Sequence, residues 1–354
     1  MKQTVVGITL LLAGLCGACQ QQTNQPETLT FQPLESGVSF TCRALSVPDD
    51  QTIWASGSHH TVLRSVDGGR HWTACSLPKD SVELDFRSLY AWNADSAIVV
   101  STTCPTVCYK TTDGGTTWKQ IFATNDPAVF VNSMDFKDGR DGVIVGDAVE
   151  GHFYLLRSQD GGESWQPAVA PEALPGQGSF AASNTCIQYL PSGKILFGTG
   201  VTGSSVFVGS DQSATWQSVE SQIVQSTGGT DGIYTLCMWN DQIGWVGGGN
   251  FQFVERSTHV ASYTTDGGLT WTPAAGRPHG FISGIAPFPQ RPEILLAVGS
   301  DGCSVSEDQG KSWEKQTDQL PAGVKGYHVA KTSRKGSAVY VAGDKGQLAK
   351  VTWN

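Results

Sequence analysis

Charge is scarce in this chain. Asp, Glu, Lys and Arg make up 16% of its 354 residues, where about 25% is usual. The balance is acidic, net −9, and Lys and Arg form no cluster. Nucleic acid is therefore excluded as a partner, because nothing here would displace counterions from a phosphate backbone. No apolar run reaches the roughly 20 residues that a spanning helix needs, so the mature chain is expected to have none. No Gly-x-Gly-x-x-Gly opens a helix, which leaves a nicotinamide or flavin without a phosphate site. The stretches GTGVTG (198–203) and GGGN (247–250) read as glycine turns. A serine nucleophile elbow is absent. So is a histidine pair at metal-ligand spacing, since His59 and His60 are strand neighbours whose side chains point to opposite faces. Neither cofactor nor metal is expected.

Glycine and aromatics are plentiful instead. There are 42 glycines, and 14 Phe, 11 Trp and 8 Tyr. At 39% hydrophobic the chain is not disordered. This profile suits many short strands joined by tight turns. A pattern Ser/Thr-x-Asp-x-Gly-x-Ser/Thr-Trp recurs as SVDGGRHW (65–72), TTDGGTTW (111–118), SQDGGESW (158–165), SDQSATW (210–216), TTDGGLTW (264–271) and SEDQGKSW (306–313). The 210–216 copy has lost its glycines and one residue, and the last has Gln309 for the first glycine. The tryptophans are spaced by 46, 47, 51, 55 and 42 residues, a period that marks solenoids, propellers or arrays. Asp caps a turn, Gly supplies positive φ, and Trp covers apolar surface between sheets. The pattern resembles the Asp-box, or bacterial neuraminidase repeat, and reads as a folding element.

Each copy sits in a unit of four strands. Aligning the first strands gives seven units: 42–47, 86–91, 131–136, 183–189, 233–239, 282–287 and 326–331. The seventh runs out after its third strand (347–353), and LTFQPLE (29–35) can supply the fourth. Such closure leaves no open edge. The expected fold is all-β, one seven-bladed propeller over 28–354; a six-bladed ring is the alternative. A monomer is expected.

The first residues read as an address. Met1-Lys2, the apolar stretch Val5 to Leu15, and Cys16-Gly17-Ala18-Cys19 resemble a bacterial lipoprotein signal, residues 1–18, with Cys19 lipidated and 19–27 a polar tether. An ordinary secretory signal is the alternative. Gln20, rather than Asp, points by the same resemblance to the outer membrane, on either face. Export implies an oxidising compartment. Seven further cysteines remain, an odd number, so at least one is unpaired. Cys104 and Cys108 could close a small disulfide across a hairpin. Cys186, Cys237 and Cys303 read as buried fillers.

In such a blade the inner strand begins on one face of the disc, the second-to-third loop returns there, and the tryptophan turn lies opposite. A site is therefore expected where the inner strands open: Arg43, Arg87, Asn132, Asn184, Tyr234, Ser283 and Tyr327. Two arginines in adjacent blades can grip a carboxylate or phosphate; otherwise they serve neighbouring carbonyls and acids. Asp147, Glu150 and His152 of blade 3 and Asn250, Phe251, Phe253, Glu255 and Arg256 of blade 5 reach the same rim. The long connection 171–185 joins them. A protein or glycan partner, one that can carry an anionic group, is expected there, with no cofactor.

Catalysis is the alternative. The Asp-box resemblance implies a sialidase set, with Arg43, Arg87 and Arg256 as arginines and Tyr234 with Glu150 or Glu255 as nucleophile pair. The family's Phe/Tyr-Arg-Ile-Pro reads Cys42-Arg43-Ala44-Leu45 here. Another glycosidase would pair Asp147 with Asp301 or Asp344. Across the mature chain, FRSLYAWNADSAIVVS, MDFKDGRDGVIVGDAVEGHFYLLRSQDGGESW and LPGQGSFAASNTC resemble the photosystem II stability/assembly factor-related propellers. That resemblance implies a seven-bladed, partner-binding ring. Bacterial members often carry the label "oxidoreductase", a third reading with no cofactor motif behind it.

Overall fold

Strand order follows directly from how each segment is buried. In the computed structural model, which describes residues 1, 28–78, 82–223 and 229–354, the second strand of a blade is buried along its length, as in Ile53–Gly57 and Ala97–Ser101. Such strands lie between neighbouring sheets and so carry near-continuous apolar runs rather than alternation. Fourth strands, such as Thr73–Ala74 and Gln217–Glu220, are short, polar and largely exposed. The expected leader, lipidated Cys19 and tether fall almost wholly in 2–27, outside the described residues.

Seven sheets result, each built on an antiparallel meander of four strands. The seventh joins both ends of the chain. Leu29–Glu35 pairs with Gln347–Trp353 from Leu29↔Trp353 to Glu35↔Gln347, and Phe31 stacks on Tyr327 at 6.0 Å. The ring is seven-bladed, not six. Blade 6 departs from four strands: Ala275–Arg277, in the connection from blade 5, adds a fifth in parallel with Ser312–Lys315.

The core is a set of clusters between adjacent blades. Ile98, Val100 and Cys108 of blade 2, for example, meet Met134, Phe136 and Ile144 of blade 3 under Trp165. Each turn tryptophan caps the cleft toward the preceding blade; Trp118 lies edge-on to Trp54 at 6.3 Å. Burying each such side chain contributes about 2–3 kcal/mol. The turns behave as their residues dictate. In blade 2 the Thr111 hydroxyl donates to Asp113 and accepts from Gly115 N–H, while Asp113 accepts Thr117 N–H at 2.9 Å and its hydroxyl at 2.6 Å. Gln309 takes φ 63° in place of the missing glycine.

Cys104 and Cys108 are free thiols, which corrects the expected disulfide. Cys108 pairs with Val100 in the strand and points into the inter-blade core, whereas Cys104 sits at the turn and donates to the Asn125 carbonyl. Cys186 and Cys303 are buried as fillers, and Cys237 is half-buried.

Candidate functional site

A β-bulge recurs at the opening of the inner strands. The register skips Arg43 between Cys42 and Ala44, Arg87 between Phe86 and Ser88, Asn132 between Val131 and Ser133, and Tyr234 between Ile233 and Thr235. A bulged residue is left out of the ladder and its side chain re-aimed. Arg43, Arg87 and Tyr234 are thereby turned to the channel mouth, where a cavity of about 540 Å³ opens.

One side of this mouth is cationic. Arg87 Nε donates to Asp85 Oδ2 at 2.7 Å. Arg43 is half-buried and makes no side-chain hydrogen bond or ion pair with any described residue. Burial and the like charge of Arg87 lower its pKa, yet a guanidinium stays charged. His328 completes this side, with Nε2 3.0 Å from Asp344 Oδ1. Burial, then the nearby Arg43 charge, lowers the His328 pKa, which favours the neutral ring.

The other side is aromatic. Tyr234 stacks on Phe180 at 3.8 Å and meets Phe281 edge-on at 4.6 Å, with Phe251 at 6.4 Å. Phe251 is 51% exposed, and Phe253 beside it 42%, with Arg256 over its ring at 4.2 Å. The Tyr234 hydroxyl is committed to the Thr230 carbonyl at 2.7 Å. Asp147 lies between the two sides, accepting Ser179 N–H at 2.9 Å; burial raises its carboxyl.

Of the residues expected at the mouth, Arg43, Arg87, Tyr234, Asp147 and Ser283 line the cavity, and the 171–185 connection enters it through Ser179 to Ala182. Asn132 is fully buried, its amide beside the Asp147 carboxylate, whose pKa it lowers. Others stand elsewhere. Asn184 has φ 54° and ties blades together, its amide donating to Leu89 O and accepting from Met134 N–H. Tyr327 packs in the core on Phe31; the blade 7 ladder begins at Val329, and His328 just before it, its N–H on Ala342 O, takes the mouth position instead. Asn250 is buried, donating to Asp231 at 3.1 Å. Glu150 and His152 are exposed at the blade 3 turn, away from the cavity. Phe180, Phe281 and His328 are the additions; Phe281 directly precedes its aligned inner segment, whereas no local signal marked Phe180 or His328.

The catalytic sets do not assemble. The Tyr234 hydroxyl is engaged, and Glu150 and Glu255 are exposed outside the cavity. Asp147 is the one carboxylate among the described lining residues; Asp344 instead contacts His328 and Thr41, and Asp301 is not in the lining.

Fold and mouth together define a seven-bladed β-propeller with a mouth that is cationic on one side and aromatic on the other. No family model matches the chain. It is similar to the Photosystem II assembly lipoprotein Ycf48 of Synechococcus sp. (strain CC9902), 21% identical over 362 residues that span 98% of this chain and 96% of that one. Among solved structures it is similar to YCF48 bound to D1 peptide, with TM-score 0.66, 17% identity, and coverage of 90% of this chain and 96% of that chain. YCF48 from Cyanidioschyzon merolae follows, with TM-score 0.65, 17% identity, and coverage of 91% and 98%. The chain is thus similar to the Ycf48 propellers along nearly its whole length and shares their fold, in keeping with the sequence resemblance.

Proposed function

We propose that this propeller is a lipid-anchored, extracytoplasmic binding module that captures a protein segment at the inner-strand mouth. An acidic group of the partner seats on Arg43 and Arg87, and an apolar side chain lies against Phe180, Tyr234 and Phe251. The observation that carries this reading is Arg43: a half-buried guanidinium that feels the charges of Asp85 and Asp344 but makes no hydrogen bond or ion pair with any described residue, facing an aromatic wall. Leaving such a charge unpaired is costly unless a ligand or water meets it. The relative solved with a D1 peptide supports a protein partner, and the lipoprotein named among the relatives supports the anchor at Cys19. Gln20 favours the outer membrane as its destination.

The test is capture from detergent-solubilised membranes, with peptides from any captured protein then titrated. Charge-assisted hydrogen bonds are worth about 1.5–3 kcal/mol each, so the Arg43→Ala/Arg87→Ala variant should bind at least about tenfold more weakly at an unchanged melting temperature. Equal capture by that variant refutes the proposal. Binding to a glycan array but to no protein replaces the partner class.

A further inference from the structure

The opposite end of the channel, where the inner strands finish, holds a second cavity of about 310 Å³. Its walls are mainly apolar, including Leu45, Leu89, Met134, Leu236, Ile285 and Ala330. Polar side chains at this end mostly clamp one inner strand to the next. Ser46 Oγ accepts Ala91 N–H at 2.9 Å, Gln188 accepts from and donates to the Met238 backbone, Thr332 donates to Pro287 O at 2.7 Å, and Asp135 accepts Tyr189 N–H at 2.8 Å. Arg334 donates to Ala91 O and lies over the Tyr90 ring at 4.6 Å.

Lys331 breaks this pattern. It lines the cavity half-buried, and its ammonium has no hydrogen bond or ion pair with any described residue. It shares the cavity lining with Asp135 of blade 3 and Cys237 of blade 5, so side chains of three blades meet at this end of the channel. Lys331 and Arg334 against Asp135 leave one positive charge in an apolar chamber. That balance admits a monoanion; a cation meets two positive groups, and a dianion meets Asp135. Trp239, 41% exposed, stands among the lining residues and can cover an apolar body.

We propose that this end of the channel is a second ligand site, for a small monocarboxylate with an apolar body, its carboxylate on Lys331. The site is separate from the Arg43–Arg87 mouth and independent of what binds there.

The experiment is calorimetric titration of the full chain with hexanoate, with hexanol as the uncharged comparison. Wild type should bind hexanoate and show at least tenfold weaker binding of hexanol. Lys331→Met keeps the aliphatic stem and should weaken hexanoate at least tenfold. Asp135→Asn removes the opposing charge and should tighten it several-fold, which keeps the test alive if Lys331→Met does not fold. Arg43→Ala/Arg87→Ala should leave the affinity unchanged. No heat with wild type, equal affinity for hexanol, an unaffected Lys331→Met, an unaffected or weakened Asp135→Asn, or loss in the arginine variant each overturns the proposal.

Discussion

Blades 2 and 4 solve one problem, fastening the third strand to the fourth, by different means. Blade 2 does it locally. The Asp113 hub joins residues no more than four apart, and Trp118 Nε1 donates to Gly115 O at 3.2 Å. Blade 4 has lost its glycines and works over distance. Asp211 accepts Lys137 Nζ at 2.5 Å from blade 3 and Tyr189 OH at 2.9 Å, while Arg157 donates to its backbone carbonyl. Trp216 Nε1 turns to Val169 O. Burial alone would raise the Asp211 carboxyl; Lys137 and Tyr189 outweigh it and hold it below its ordinary value. One blade secures a turn, the other secures the seam between two blades.

The largest effect should come from breaking the blade 4 clamp. Asp211 is 3% exposed, and Lys137 keeps Asp141 at 3.0 Å. Asp211→Ala should therefore cost about 3 kcal/mol, the low end for breaking a buried pair, read by urea unfolding. Replacing Lys137 and Asp211 together with apolar residues should recover much of it. A double-mutant cycle with no coupling would show that the clamp is not a unit.

A smaller effect separates the two glycines of the regular turn. Gly115 has φ +84°, and an added Cβ would meet Cys75 and the Trp54 ring; Gly161 has φ +74°, and an added Cβ would make only ordinary contact, 3.6 Å from Gly139 O and 3.9 Å from Lys110 Nζ. Gly115→Ala should cost about 2–3 kcal/mol and Gly161→Ala about 1 kcal/mol. Equal losses would mean that backbone strain alone decides, which Gln309 at φ 63° argues against.

The smallest effect is electrostatic. The Thr117 hydroxyl holds the Asp113 carboxyl down to about 2, and the Ser164 hydroxyl does the same for Asp160, from an ordinary 3.8. An acid held low in the fold stabilises above its unfolded pKa, and the benefit fades as pH falls through its folded one. Melting curves of wild type and Asp113→Asn should differ above about pH 4 and converge near pH 2. A constant gap across that range would remove the carboxylate from the explanation.

The same contrast explains what could be read in advance. The ring, its closing strand and the turns were legible because each rests on residues close in sequence: Asp, Gly and Trp at fixed offsets, or a strand complete but for one partner. Arg43, Arg87 and Tyr234 were legible because they open recognisable strands. The alignment failed where backbone geometry changed without a residue signal. Asn184 left the mouth because φ turns positive there, and Tyr327 yielded to His328 because the blade 7 ladder begins one residue later than the aligned strands suggested, at Val329. Asn250 was claimed by Asp231, a partner 19 positions away. The Lys137–Asp211 clamp spans 74 positions and leaves no local trace.

The closing strand also sets how the ring answers a pull. Leu29 lies opposite Trp353, with Thr28 and Asn354 exchanging backbone hydrogen bonds beyond them, so both termini leave at one corner. Tension between the termini would then load the ladder rung by rung from that corner, peeling a zipper instead of shearing seven residue pairs at once. The weakest mechanical route into this disc runs through its clasp.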